Sequence, residues 1–359
     1  NINKWKILII LMKLEINNIF IGEGFPPYVI AELSANHNGS IERAKESITA
    51  AKLSGASAVK IQTYTADTMT IDCNLEDFMI KGGLWDGYQL YELYKEAETP
   101  FEWHAELFEH AKKIGITIFS SPFDETAVDL LEELNTPAYK IASFELVDLP
   151  LIKYVAKTKK PLLMSTGMAS EEEIHEAVAT AREAGCDQIL LFHCISSYPA
   201  PIEQANLKQM HGLRDKFGVV IGLSDHTIGN TAAITATGLG ASAIEKHFTL
   251  SRNDKGPDSE FSIEPSELKD LIAQVNDAWS GLGSMSYQRP PAEQGSLVFR
   301  RSLYFVKDLQ SGHVITKNDI RRIRPGHGLP PKYFDDLLGL TLTSDVHRGE
   351  PVKWDVIDK

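Results

Sequence analysis

The sequence has few cysteines, no hydrophobic run long enough to cross a bilayer, and no low-complexity tract. Its 359 residues include only Cys73, Cys186 and Cys194, an odd number without the spacing of a disulfide framework or a zinc motif. Such a count is typical of the reducing cytoplasm, which is the location we predict. The apolar run at residues 5–12 is far shorter than the roughly 20 residues of a membrane helix. No small-residue cleavage site follows it, so we predict neither a membrane span nor a signal peptide.

Basic residues are also fewer than acidic ones. The chain has 36 basic and 49 acidic residues, for a net charge of −13. Nucleic acid is therefore not an expected partner, because a phosphate backbone requires a basic face. An anionic small molecule remains possible, since a few lysines can dominate one cleft. The hydrophobic content of 43% permits a large core, and the length fits a barrel of about 250 residues plus a small module.

A strand-then-helix pattern repeats eight times along the chain and predicts a (β/α)8 TIM barrel. The short apolar runs lie at 28–32, 58–60, 116–120, 138–141, 161–165, 189–193, 219–224 and 243–247. The segments with helical period lie at 40–54, 100–114, 125–134, 149–158, 170–184, 206–217, 230–239 and 265–282.

Nearly every apolar run ends at a polar or charged residue, among them Glu32, Lys60, Lys140, His193 and His247. The carboxyl ends of the strands are where a TIM barrel carries its active site. A strand that serves only packing has no reason to end on a buried lysine or histidine. The repeated coincidence predicts an enzyme with its site at that end of the barrel.

The rest of the chain divides into an extension, a linker and a small domain. We predict an N-terminal extension at 1–19, with Met12 as a plausible natural start; the alternative is an edge strand or a barrel plug. The barrel domain is expected at 20–283, a glycine- and proline-containing linker at 284–296, and a small domain at 297–359. Within the small domain we expect strands near 302–306 and 350–354 and helical turns near 316–320 and 331–338.

Several motifs resemble the sialic acid synthase family in order and spacing, from about Phe20 to the end of the chain. They lie at residues 30–40, 60–62, 121–123, 139–141, 165–168, 222–226 and 245–247. The tail from about Ser296, including Arg324-Pro-Gly-x-Gly328, resembles the antifreeze-like (SAF, β-clip) domain that closes those enzymes. Residues 34–37, 80–86 and 99–104 resemble the pseudaminic acid branch more than the N-acetylneuraminate or legionaminate branches.

The resemblance implies a reaction between phosphoenolpyruvate and the aldehyde of an open-chain acetamido sugar, with addition of water and release of phosphate. A divalent cation would activate the aldehyde as a Lewis acid. His226 and His247 end the seventh and eighth strands, so their rings can converge on one ion. Two nitrogen ligands favour octahedral Mn²⁺ or Mg²⁺ over closed tetrahedral zinc. For each histidine alone, the alternative is a structural hydrogen-bonded residue.

The family pattern assigns further roles by position. Glu32, His226 and His247 are expected to be catalytic, the histidines by holding the cation and Glu32 by guiding the attacking water. The alternative role of Glu32 is to pair with a nearby lysine or with the backbone of residues 36–37. The phosphoenolpyruvate ligands are expected to be Lys60, Gln62, Ser121, Lys140, Ser143, Ser165 and Ser224. Without a ligand role, each buried lysine would require a carboxylate partner. The sugar contacts are expected to be Phe123, Glu145, Ser196, Tyr198, Asp258 and Arg324.

Two departures from the N-acetylneuraminate pattern indicate a less polar sugar. Residues 195–197 read Ile-Ser-Ser where that branch has Thr-Asn, and Phe144 replaces a glycine. We therefore expect 2,4-diacetamido-2,4,6-trideoxy-L-altrose rather than N-acetylmannosamine as the substrate. The resemblance also implies a domain-exchanged homodimer in which Arg324 reaches the partner's site. Two rival hypotheses are a condensing synthase for aldose phosphates and a non-enzymatic sugar-binding or antifreeze-like protein.

Overall fold

The computed structural model describes residues 12–82 and 85–358. They form two compact units with the boundary after Gly283, the residue at which the sequence pattern places the end of the barrel domain. None of the described helices is long and apolar enough to cross a membrane.

The first unit begins with a hairpin and continues into a closed barrel of eight parallel strands. The hairpin strands are β1 (Lys13–Ile16) and β2 (Ile19–Gly22). The barrel strands are β3 (Tyr28–Glu32), β4 (Ala58–Thr63), β5 (Thr117–Pro122), β6 (Tyr139–Ile141), β7 (Leu162–Ser165), β8 (Ile189–Cys194), β9 (Val220–Asp225) and β10 (Ala243–His247). Each strand pairs with the next along the chain, and β10 pairs with β3 to close the sheet. The predicted TIM barrel and its eight strands are confirmed.

Helices cover the outside of the barrel, and the eight predicted helical segments are all present. In chain order the helices of this unit are α1 (Ile41–Ser54), α2 (Ala66–Met69), α3 (Leu90–Ala97), α4 (His104–Ile114), α5 (Glu125–Glu133), α6 (Leu149–Ala156), α7 (Glu171–Glu183), α8 (Gln209–Phe217), α9 (Thr231–Gly238) and α10 (Pro265–Leu282). Local sequence signals define their starts: the Ser40 side chain accepts from Arg43 N, and Ser170 forms a capping box with Glu173. The sequence pattern did not predict α2 and α3, which lie in the long connection between β4 and α4.

The hairpin of β1 and β2 closes one end of the barrel. Leu14, Ile16 and Ile21 are buried and pack in one cluster with residues that begin the barrel strands, such as Tyr28 and Ala243. The hairpin therefore lies at the end opposite the polar strand ends. Residues 13–19 are thus a barrel plug rather than part of an extension, which corrects the predicted domain start. Residues 1–11 lie outside the described residues.

The second unit has a small core of its own. After α11 (Pro291–Gln294), which falls inside the predicted linker, β11 (Ser302–Phe305) and β12 (Ile320–Ile323) pair antiparallel. The core residues are Leu303, Phe305, Ile315, Ile320, Leu337, Leu342, Val346, Val352 and Ile357. The strand near 302–306 is confirmed, and 3₁₀ turns form within 331–338.

Two local features of the second unit are shorter than predicted. Residues 316–319 form a single hydrogen-bonded turn, in which Asp319 N donates to Thr316 O at 3.1 Å and the Asp319 carboxylate accepts from Thr316 N, and Ile320 then begins β12. Residues 350–354 do not form a regular strand. Pro351 makes an isolated antiparallel bridge to Tyr304, in which Phe305 N donates to Glu350 O at 3.0 Å and Val352 N donates to Leu303 O at 2.9 Å, and a 3₁₀ turn begins at Trp354.

Candidate active site

A cavity of about 560 Å³ opens at the carboxyl ends of the barrel strands. Its volume suits a small-molecule ligand. Most residues selected from the sequence line it: Glu32, Lys60, Gln62, Phe123, Lys140, Ser143, Glu145, Ser165, Ser196, Tyr198, Ser224, His226, His247 and Asp258. Ser121 is buried beside the cavity and accepts from Lys60 Nζ at 3.3 Å.

Strand alternation determines which side chains reach the cavity. On β10, Glu245 and His247 lie on the cavity side, and Lys246 between them faces the other way. Lys246 Nζ pairs there with Asp225 Oδ2 at 2.6 Å and donates to Thr227 O at 2.7 Å. Because both charges are buried and paired, this contact joins the ends of β9 and β10 behind the site.

A buried network of two lysines and two glutamates forms the floor of the cavity. Lys60 Nζ lies 3.1 Å from Glu32 Oε2 and 3.3 Å from Glu245 Oε2. Lys140 Nζ lies 3.3 Å from Glu245 Oε1, which also accepts from Ser224 Oγ at 2.9 Å. Glu245 is therefore the charge that both lysines share.

Glu245 is a site residue to which the sequence analysis gave no role, although it lies in the 245–247 motif at a strand end. Two signals could have found it: it lies two residues before His247 on the same strand face, and two buried lysines require carboxylate partners. Ser34 was missed as well, although it lies in the 30–40 motif.

The two buried glutamates differ in proton affinity. Burial raises the pKa of Glu32 to about 7, although the charge of Lys60 partly offsets this. Burial would also raise the pKa of Glu245, but Lys140 and Lys60 outweigh it and lower that pKa to about 2. Burial lowers the pKa of Lys140, with Glu245 opposing it. The arrangement thus combines a carboxylate that stays ionised with one that can exchange a proton near neutral pH.

A chain of hydrogen bonds runs from Glu32 across the mouth of the barrel. Gln62 Nε2 donates to Glu32 Oε1 at 3.0 Å and contacts Ser34 Oγ at 3.1 Å. Ser34 Oγ in turn donates to Asp258 Oδ2, and burial raises the pKa of Asp258. Gln62 is therefore fixed against the catalytic candidate Glu32.

Two neutral imidazoles lie side by side at the ends of β9 and β10. The ring centroids of His226 and His247 are 5.4 Å apart, and the Tyr198 ring packs 4.3 Å from that of His226. Burial lowers the pKa of His226 to about 4 and that of His247 well below its usual value. Both rings are therefore unprotonated at neutral pH.

The nitrogens of this pair are suited to a cation. His226 Nδ1 bonds Ile195 O at 2.8 Å, which leaves Nε2 for another partner, and His247 Nδ1 is buried without a partner among the described residues. A backbone carbonyl on one ring nitrogen is a common way to orient a ligating histidine. No cluster of three or more His, Cys, Asp or Glu suited to a metal occurs in the described part of the chain. Further ligands would have to be water or substrate.

Three of the predicted serines that line the cavity have hydroxyl groups with no partner, or with only a cysteine sulfur as partner, among the residues that the structure describes. Ser165 Oγ is buried and lacks a partner among the described residues. Ser143 Oγ lies 3.0 Å from Cys194 Sγ, and Ser196 Oγ lies 3.9 Å from the same sulfur. With Lys60 and Lys140 they supply the positive charge and hydroxyl donors that a carboxylate and a phosphate require.

One wall of the cavity is apolar. It consists of Met69, Ile80, Trp85, Leu90, Leu93, Tyr94, Phe123 and Phe144. Most of this wall comes from the connection that carries α2 and α3. The cavity thus has a charged floor at the strand ends and a hydrophobic side.

Arg324 lies in the second unit, exposed and directly after β12. Its expected contact with the sugar stays a prediction.

Comparisons with known proteins identify the family of the chain. The NeuB family matches residues 47–287 and the SAF domain matches residues 300–357. The pseudaminic acid synthase of Helicobacter pylori is 46% identical over 335 residues, covering 93% of this chain and 98% of that protein. The pseudaminic acid synthase of Campylobacter jejuni is 44% identical over 326 residues, covering 91% and 95%.

Among solved structures, the N-acetylneuraminic acid synthetase of Leptospira borgpetersenii, in complex with citrate, superposes with a TM-score of 0.72. It is 30% identical and covers 80% of this chain and 95% of its own. The family match spans more than half of the chain, and the relatives cover nearly all of it. The chain therefore belongs to the NeuB family and ends in a SAF domain.

Proposed function

We propose that this protein is a pseudaminic acid synthase. It would condense phosphoenolpyruvate with 2,4-diacetamido-2,4,6-trideoxy-L-altrose and water to give pseudaminic acid and phosphate. The observation that carries the proposal is the shared network of Lys60, Lys140, Glu245 and Glu32 beside two neutral histidines. The names of the Helicobacter and Campylobacter relatives support the choice of product.

Phosphoenolpyruvate binds over the two lysines. Its carboxylate and phosphate receive charge-assisted hydrogen bonds from Lys60 and Lys140 and hydroxyl donors from Ser143 and Ser165. Glu245 keeps the lysines charged and in place, and its low pKa means that it need not give up its charge when the anion arrives.

We further propose that His226 and His247 hold a divalent cation, Mn²⁺ or Mg²⁺, with water and substrate oxygens completing its shell. When bound, the cation supplies Lewis-acid polarisation of the aldehyde. The support is the free nitrogen on each ring, the neutral state that burial imposes, and the contact of His226 Nδ1 with a backbone carbonyl.

Glu32 handles the proton of the attacking water. The C3 carbon of phosphoenolpyruvate bonds to the aldehyde carbon, whose oxygen takes up a proton and becomes a hydroxyl. Water adds at C2 with loss of a proton, the C2–O bond to phosphate breaks, and the added hydroxyl loses its second proton as C2 becomes a ketone. Glu32 accepts the proton that the water loses, which suits a carboxylate whose pKa is about 7. Gln62 holds Glu32 through the 3.0 Å hydrogen bond to Oε1.

The test is phosphate release from phosphoenolpyruvate with a panel of aldoses. The trideoxy sugar should give pseudaminic acid, and N-acetylmannosamine should be poor or inert. Chelator should abolish turnover, and Mn²⁺ or Mg²⁺ should restore it. Glu32→Gln should lower kcat by about 10²–10⁴-fold, whereas the exposed Glu183→Gln should match the wild type. A higher kcat/KM on N-acetylmannosamine would assign the chain to the neuraminate branch.

We also propose that the protein works in the cytoplasm as a domain-exchanged homodimer, with Arg324 binding the acetamido group of a sugar in the other subunit. The support is the family resemblance and the exposed guanidinium, whose donors suit an amide oxygen. Mixing Arg324→Ala chains with His226→Ala chains should then regenerate activity, because one composite site keeps both residues. If isolated heterodimers stay inactive, or if the Arg324→Ala homodimer keeps wild-type activity, Arg324 does not act between subunits.

A further inference from the structure

Trp85 places a buried hydrogen-bond donor in the cavity. Its indole Nε1–H is shielded from solvent, and no residue in the described part of the chain accepts from it. Indole nitrogen can only donate, and buried tryptophan N–H groups usually have a partner. An unpartnered donor that lines a ligand cavity marks the place where a ligand acceptor belongs.

Ring contacts relate Trp85 to the reacting end of the site through Tyr198. Its ring centroid is 6.4 Å from that of Tyr198, which in turn lies 4.3 Å from that of His226. In the proposed reaction the aldehyde carbon lies at the histidine pair. Trp85 is thus a neighbour of Tyr198, which lies between it and His226 in this series of ring contacts, and a sugar whose aldehyde lies at the histidines would extend its later carbons along this side of the cavity.

Backbone hydrogen bonds hold Trp85 in position. Tyr88 N donates to Trp85 O at 3.1 Å, and Ile80 N donates to Tyr88 O at 2.8 Å. Gly87 N donates to Ile80 O at 2.9 Å. The ring is thus presented by a hydrogen-bonded turn between α2 and α3 rather than by an extended loop.

Other groups that line the cavity complement an acetamido substituent. The same cavity is lined by the apolar side chains of Met69, Ile80 and Leu90. It is also lined by Glu145, whose Oε2 is buried and unpartnered among the described residues. An acetamido group has a carbonyl acceptor, an N–H donor and a methyl group, so one indole donor, one carboxyl acceptor and an apolar wall match all three.

We propose that Trp85 is the specificity residue that recognises the acetamido group at C4 of the sugar, three carbons beyond the aldehyde. The indole N–H donates to the acetamido carbonyl, Glu145 accepts from the acetamido N–H, and the methyl group packs on Met69, Ile80 and Leu90. This inference rests on the proposed function and names the feature by which the site would distinguish its sugar. A C4 hydroxyl would leave the apolar wall uncovered.

The decisive variant is Trp85→Phe, which keeps an aromatic ring and removes the N–H donor together with part of the indole's packing area. Two aldoses are compared, the 2,4-diacetamido-2,4,6-trideoxy sugar and its analogue with a hydroxyl at C4. We expect kcat/KM for the diacetamido sugar to fall about tenfold, mainly through KM, since one neutral hydrogen bond is lost. The analogue and the KM for phosphoenolpyruvate should change less than about twofold. Trp279→Phe, on the outer helix α10 and away from the cavity, is the matched control. It should leave kcat/KM for both sugars unchanged.

A second measurement uses the unmodified protein and no turnover. The diacetamido sugar reduced to its alditol cannot react, and saturation-transfer NMR should show stronger transfer to its C4 acetamido methyl than to its C2 acetamido methyl. Equal saturation transfer to the two methyl groups overturns the inference while the proposed function stands. The same holds if Trp85→Phe leaves the ratio of kcat/KM for the two aldoses unchanged. If the wild type releases no phosphate with the diacetamido sugar, the proposed function fails and the inference fails with it.

Discussion

Replacing Glu245 with glutamine would remove the charge that two buried lysines share while keeping the size of the side chain. In the wild type, Lys60 and Lys140 each lie 3.3 Å from a Glu245 oxygen. Lys60 also keeps Glu32 at 3.1 Å, but no other carboxylate among the described residues pairs with Lys140. The main consequence is therefore an uncompensated charge at Lys140.

The size of the effect follows from that geometry. Removing one partner of a buried ion pair typically costs about 3–5 kcal/mol. Because Lys60 retains a partner, we expect the lower end, about 3 kcal/mol in the free energy of unfolding. For a domain of this size, that corresponds to a fall in Tm of about 6–12 °C. Phosphoenolpyruvate brings negative charge to the same lysines, so it should stabilise Glu245→Gln more than the wild type.

The assay is thermal unfolding with and without saturating phosphoenolpyruvate, with Glu183→Gln as the control. The exposed control should lie within about 0.5 kcal/mol of the wild type. If Glu245→Gln unfolds at the wild-type temperature without ligand, Glu245 does not compensate the lysines. If phosphoenolpyruvate raises Tm equally in both proteins, the anion does not bind over Lys60 and Lys140.

Two further predictions concern stability away from the cavity. Ile16→Ala in the plug should lower the free energy of unfolding by about 2–5 kcal/mol, because Ile16 is fully buried in the plug cluster. Urea denaturation measures this against Ile19→Ala, which changes an exposed residue of the same hairpin. Equal free energies of unfolding for the two variants would contradict the role of the plug. Asp319→Asn should destabilise the SAF domain by about 1–3 kcal/mol, seen as faster hydrogen exchange of residues 302–323. Although burial opposes it, bonds from Thr316, His313 and Lys307 hold the pKa of Asp319 below its usual value, so its stabilisation is present above about pH 4 and is lost as the pH falls. A difference between wild type and Asp319→Asn that stays constant from pH 6 to pH 2 would contradict this.

Much of the fold could be predicted because its signals are local. Each barrel strand is a short apolar run, each helix has its own period and often its own cap, and the residue that ends each strand is visible in the sequence. A TIM barrel places those ends together, so all of the predicted residues from Glu32 to Asp258 except Ser121 line one cavity once the sheet closes. At 316–320 and 350–354 the structure has only a single turn and a single bridge, because β12 begins at Ile320 and a 3₁₀ turn begins at Trp354.

The sequence alone therefore determined the barrel, the positions of the polar strand ends and the family resemblance, since each depends on neighbouring residues or on motif order. The tertiary structure decided which charges meet. Glu245 and Lys140 lie 105 positions apart, and only closure of the sheet brings them together. It also decided that residues 13–22 plug the barrel, because their burial requires the strand beginnings as partners. The donor of Trp85 became evident for the same reason: hydrogen-bond satisfaction and burial depend on contacts distant in sequence, which periodicity does not encode.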